Sequence, residues 1–203
     1  NSDYGTFCIY DSYGIQVKAF TVFNSAITSH ISATILQNGN VLIAYRDGGN
    51  SGYGTFVIYD SDGPEVVAPT VFELASTANI SATTLQNGNV LIAYQDQGNS
   101  DYGTLVIYDP QGTEVVAPTV FNSTSIDYIS AITLQNGNVF VSYASNGLLY
   151  GTFMIYGNSI LPSIVFNSDT TRYISTVPLD TGNVLIAYSD WGNSEYGTFQ
   201  IWN

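Results

Sequence analysis

The 203-residue chain is 45% hydrophobic and only 9% charged, and its 16 acidic residues against 3 basic ones leave a net charge of −13. That length and apolar content suit one packed domain, residues 1–203, rather than a disordered chain. Three cations (Lys18, Arg46 and Arg172) cannot build a phosphate-neutralising surface, which excludes nucleic acid and disfavours anionic membranes. A lone cysteine, Cys8, rules out an internal disulfide and, set in an apolar strand pattern, reads as a buried small hydrophobe. No apolar run reaches the roughly 18 residues of a membrane helix, so membrane insertion is not expected. The acidic surface suits cations, neutral sugars or a salty medium as well as plain solubility.

The chain opens on NSDYGTFCIYD, an apolar strand pattern over Tyr4 to Tyr10. A D-x-x-G turn (Asp11, Gly14) joins it to a second strand pattern over Ile15 to Phe23. YGT then returns at Tyr53, Tyr102, Tyr150 and Tyr196, in steps of 49, 49, 48 and 46 residues counted from Tyr4. Two other markers recur only four times: the I-S pair at Ile31, Ile80, Ile129 and Ile174, and the G-N-V triplet at Gly39, Gly88, Gly137 and Gly182. An opening at Asn1, inside a repeat and without an initiator Met or a signal peptide, reads as a processed chain or a fragment.

One unit reads as four short strands. Ile80 to Leu85 alternates and turns at QNGN, where the N-G dipeptide predicts a tight hairpin with positive φ at both turn residues. Val90 to Asp96 is apolar on both faces and needs cover on both sides. Tyr102 to Asp109 follows a glycine-containing loop, and Glu114 to Phe121 follows the turn PQGT. Pro118 cannot donate to a ladder and marks this fourth strand as an edge; Pro69 and Pro162 sit at equivalent places. No segment keeps a helical period. Repeated four-stranded antiparallel units of this length describe the blades of a β-propeller.

The expected architecture is all-β, a four-bladed propeller with blades over about residues 30–72, 79–121, 128–166 and 173–202. Residues 15–23 complete the last blade and close the ring without an open edge. One YGT copy is then surplus, because Tyr4 to Tyr10 and Tyr196 to Trp202 claim the same slot. Either one copy is displaced, or the ends pair with another molecule, or the chain is part of a longer array.

The unit QNGNVLIAYQDQGNSDYGTLVIYDPQGTEVVAPTVFN resembles the repeats of very large secreted bacterial surface proteins of the adhesin type. That resemblance implies an extracellular, non-catalytic array, often in calcium-rich settings. A four-bladed ring is also similar in architecture to the hemopexin fold, which holds ions in its channel, although no hemopexin sequence motif is present.

The loop D-x-G-N-S-x-Y-G-T is the first candidate site, with Asp47, Asn50, Asp96, Asn99, Asp190, Asn193 and Trp191 as candidate ligand-binding residues. Its oxygens suit Ca²⁺, and its amides, carboxylates and rings suit a sugar. A structural reading stands beside this, since Asp and Asn cap turns by bonding their own backbone. The third unit, with Ser145 in place of the aspartate, fits that reading. Ser32, Ser81, Ser130 and Ser175 recur on the first strands, where four hydroxyls would converge on the ring axis to hold a cation or water. The D-x-x-G turns at Asp11, Asp60 and Asp109 read as turn chemistry, and the sequons at Asn79 and Asn122 fall between units.

Catalysis is not expected. His30 shares its repeat position with Asn79, Tyr128 and Tyr173 and reads as a variable loop residue. Two arginines in separate units fall short of a sialidase-type arginine cluster, and regular repetition favours equivalent environments, whereas an acid and a nucleophile need different ones. The expected function is a non-catalytic, extracellular or cell-surface module binding carbohydrate, Ca²⁺ or a surface protein. The alternatives are a glycosidase-like hydrolase at the channel mouth and a structural spacer.

Overall fold

The computed structural model describes residues 3–145 and 147–203. Thirteen strands follow one another in chain order: β1 Tyr4–Tyr10, β2 Gln16–Ile35, β3 Val41–Asp47, β4 Tyr53–Tyr59, β5 Glu65–Thr84, β6 Val90–Asp96 and β7 Tyr102–Tyr108 come first. β8 Glu114–Thr133, β9 Val139–Ser145, β10 Tyr150–Tyr156, β11 Ile164–Pro178, β12 Val184–Asp190 and β13 Tyr196–Trp202 complete them. Each pairs antiparallel with the next. The all-β expectation holds, and no α-helix is found among the described residues.

The long strands organise the molecule. In β5, residues 65–76 pair with β4 and residues 77–84 pair with β6. The first part is the outer strand of one four-stranded unit and the second is the inner strand of the next. β2, β8 and β11 divide in the same way. Three complete units result (β2–β5, β5–β8 and β8–β11), flanked by a β1–β2 pair and a three-stranded β11–β13 unit. The links between units are strand rather than loop because a single left-handed residue turns each strand without ending it. These residues are His30, Asn79, Tyr128 and Tyr173, at φ 50°, 49°, 53° and 53°. Left-handed backbone is uncommon outside glycine, and at a bulky residue such as tyrosine it is an outlier.

The sheets stack face to face. Phe56 and Ile58 of the first complete unit pack on Val90 and Ile92 of the second, all fully buried. Each such side chain contributes about 1.5–3 kcal/mol. β6 is buried at every position, as its two-faced apolar pattern requires, whereas β12 alternates because only one of its faces is covered. The YGT glycine has a packing role: a Cβ on Gly103 would sit 2.6 Å from the Phe121 ring, and Gly5, Gly54 and Gly151 meet Phe23, Phe72 and Phe166 likewise. Gly197 has nothing within 4 Å.

Three expectations change. Ring closure is not found: residues 16–27 pair with β1, and β1 and β13 each have one partner. The Asp11–Gly14 turn joins β1 to β2 locally, and that short hairpin takes the strand meant for the last blade. The QNGN hairpin is not a turn with two positive φ values. Gly88 N–H donates to Leu85 O, Leu85 N–H donates to Asn89 O, and only Gly88 has positive φ. This is a type I turn with a bulge glycine, and it explains how the fourth unit tolerates the β-branched Thr181 at the Asn87 position. Cys8 is partly exposed rather than buried.

Candidate functional site

The two ends of the units differ. One end carries the strand hairpins (QNGN and D-x-x-G). The other carries the left-handed crossovers and the D-x-G-N-S loops, and there the repeat loses its uniformity. The crossover position holds His, Asn, Tyr and Tyr, and the position before it holds Ser29, Ala78, Asp127 and Arg172. Inner strands of successive units adjoin, so these residues form one continuous arc at the crossover end of the inner strands.

Contacts along the arc join unit to unit. Asn79 N–H donates to His30 Nδ1 at 3.1 Å. Asn79 Nδ2 donates to Asp127 Oδ1 at 2.6 Å and to Gln95 Oε1 at 2.9 Å. The Tyr128 and Tyr173 rings pack at 5.2 Å, and the Arg172 guanidinium lies 3.9 Å from the Trp191 ring centre. Arg46 donates from Nε to Ser76 Oγ at 3.3 Å rather than to a carboxylate.

Protonation follows from these contacts. Burial lowers the His30 pKa, the Arg46 charge lowers it further, and Asp127 opposes both. A neutral ring whose Nδ1 accepts from Asn79 carries its proton on Nε2, which leaves that N–H available as a donor. Burial raises the Tyr128 phenol, Arg172 partly offsets this, and Asp127 and Tyr173 add to it. The phenol is therefore protonated at neutral pH.

The loop aspartates are occupied by their own turns. Asp47, Asp96 and Asp190 accept from Gly49, Gly98 and Gly192 N–H at 3.0, 3.0 and 3.1 Å, capping three short 3-10 turns. Asn24 and Asn167 also donate to Asp47 and Asp190. The three aspartates lie in three different units and do not converge, and Asn50, Asn99 and Asn193 are exposed loop residues. Of the candidate loop residues, Trp191 alone is shown meeting the arc, through Arg172. The axial serines join neighbouring inner strands. Ser32 Oγ accepts from Ala82 N–H at 2.9 Å, Ser81 Oγ from Ala131 N–H at 3.0 Å and Ser130 Oγ from Thr176 N–H at 3.2 Å, while Ser175 is exposed. Among the described residues no group of three His, Cys, Asp or Glu side chains is placed to hold a metal ion. No helix among them is long and apolar enough to cross a membrane.

No protein-family model matches the sequence, and no curated protein does. Solved structures do match. The NanB sialidase of Streptococcus pneumoniae aligns with TM-score 0.67 at 14% identity, over 98% of this chain and 34% of that one. A leech intramolecular trans-sialidase aligns with TM-score 0.61 at 16% identity, over 98% and 36%. A protein of unknown function from Dyadobacter fermentans aligns with TM-score 0.64 at 15% identity, over 92% and 65%. The chain thus spans about one third to two thirds of the chains it matches. Similarity at this identity shows a propeller-like fold.

The expectation of a non-catalytic module is corrected by these matches. The fold that suggested display rather than catalysis is shared with enzymes that act on carbohydrates. The argument from uniform repetition fails for a physical reason as well: the units are alike in their cores and differ at the crossovers.

Proposed function

We propose that this chain acts on glycans, engaging an acidic saccharide along the crossover arc and carrying out glycosidic-bond chemistry there. The observation that carries the reading is the gathering along one crossover arc of the only histidine, both arginines, Asp127 and two tyrosines whose rings pack at a tilt. Tyr173 is 71% exposed and Trp191 is 42% exposed, and such aromatic faces suit the apolar face of a sugar ring. Arg46 and Arg172 are two of the three cations on a molecule of net charge −13, and their planar forks match a carboxylate. Asp127, oriented by Asn79, is the carboxyl group placed to exchange a proton with the linkage, and His30 Nε2–H donates to a hydroxyl. The fold shared with two sialidases supports a carbohydrate substrate. A glycan-acting role also agrees with an extracellular location.

Incubation with 3′-sialyllactose and with uronic-acid oligosaccharides, read by chromatography with mass detection, tests the proposal. Cleavage or transfer is expected, and Asp127→Asn is expected to slow it by about 100-fold or more. No turnover of any acidic oligosaccharide, or turnover unchanged in Asp127→Asn, overturns it.

A further inference from the structure

A cleft of about 470 Å³ opens at the hairpin end, between the second and third complete units. It lies at the far end of the inner strands, about 20 Å from the crossover arc at roughly 3.3 Å per residue. Its size is within the range of small-ligand sites, about 300–1,000 Å³.

The cleft arises where the repeat is broken. The two D-x-x-G turns that have a preceding unit lie on its outer strand: a Cβ on Gly63 would meet Lys18 Cε at 2.7 Å, and one on Gly112 would meet Val67 Cγ1 at 2.8 Å. Val116 is next in that series, one repeat after Val67. The turn due to cover it is replaced by Gly157 to Pro162, which has no capping aspartate and which folds back through a Tyr156–Ile160 bridge. Gly157 settles instead on Asn138, whose Oδ1 would be 2.6 Å from a Cβ at that position. Val116 and Ile107 are left as lining of an open cleft.

Its chemistry is distinctive. None of the lining residues is charged, on a molecule with 16 acidic side chains. The rim is built from amides, namely Gln86, Asn87, Asn89, Asn136, Asn138 and Asn158. Asn87 and Asn136 accept through Oδ1 from Asn89 and Asn138 N–H at 3.1 and 3.0 Å, so each turn fixes its amide with Nδ2 free to donate. Amides both donate and accept, as sugar hydroxyls do, and Val116, Ile107 and the Tyr156 ring give an apolar floor.

We infer that this cleft is a second saccharide site, selective for an uncharged oligosaccharide and independent of the crossover arc. It retains a neutral stretch of glycan while chemistry proceeds at the other end. The test is saturation-transfer NMR with cellotriose, xylotriose, mannotriose and galactotriose on the whole chain. Asn136→Asp keeps the acceptor for Asn138 N–H and removes the Nδ2 donor, and Asn158→Trp fills the opening from an exposed position. Saturable binding of at least one neutral trisaccharide is expected, weakened at least about tenfold, or about 1.4 kcal/mol, in both variants and unchanged in Asp127→Asn. No saturable binding, binding unaffected by both cleft variants, or binding lost in Asp127→Asn would overturn the inference. The last outcome would place the neutral sugar at the arc. Turnover of acidic oligosaccharides is read separately, so failure of either site leaves the other judged on its own data.

Discussion

Ser81→Ala separates a structural serine ladder from a channel ion site. Ser81 Oγ accepts from the N–H of Ala131, a residue only 7% exposed. Alanine leaves that amide without its partner, at a cost of about 1–3 kcal/mol. For a domain of this size each kcal/mol shifts Tm by about 2–4 °C, so a fall of roughly 2–12 °C is expected. Ser175 holds the same repeat position in the last inner strand, with no following inner strand to bond, and it is exposed. Ser175→Ala is therefore expected to change Tm by less than about 1 °C. Calorimetry of both variants, with and without millimolar calcium, provides the comparison. Equal losses in the two variants, or a calcium-dependent rise in wild-type Tm that either substitution abolishes, would refute the ladder and restore the axial ion.

The YGT glycines offer a parallel contrast. Gly103→Ala drives a Cβ into Phe121 and Ile126 and should cost about 1–3 kcal/mol, whereas Gly197→Ala meets nothing and should be neutral in urea unfolding. Burial raises the Glu73 pKa, and its hydrogen bond from Tyr94 offsets this only in part. A raised folded-state carboxyl stabilises most below its unfolded value of 4.5 and loses that contribution as pH rises through the folded value. Glu73→Gln, which keeps an acceptor for Tyr94, should therefore be more stable than wild type at pH 7, with the gap closing near pH 4. His30 has the opposite sign. Its lowered pKa gives stability present above 6.5 and lost as pH falls from there towards the folded value. A pH series of Tm values for His30→Gln should show a shallower fall on acidification than wild type.

Much of the fold was legible because core and turn chemistry repeat. The two-faced apolar pattern of Val90 to Asp96, the edge prolines and the D-x-x-G turns each report a local constraint. Two features were not legible. Crossover residues in left-handed backbone resemble ordinary strand in sequence, so the long strands read as separate elements joined by links. Ring closure depends on competition between a distant edge and a four-residue hairpin, and periodicity carries no information about that. The candidate site is hidden in the sequence for a related reason. His30, Asn79, Tyr128 and Tyr173 share one repeat position, and in the sequence alone their variety looks like tolerance. In a chain whose cores are nearly uniform, a position that changes from His to Asn to Tyr, beside one that changes from Ser to Ala to Asp to Arg, marks where the units stop being equivalent. The conspicuous D-x-G-N-S loops owe their regularity to capping, as Asp47, Asp96 and Asp190 show.

The most direct measurement is a crystal structure of the Asp127→Asn chain grown with an acidic oligosaccharide. A sugar ring stacked on Tyr173 or Trp191, with its carboxylate turned towards Arg172 and a hydroxyl near His30 Nε2, is the expected result. Sugar density at the loop tips beside Asp47, Asp96 or Asp190, or no density along the arc at saturating ligand, would contradict it.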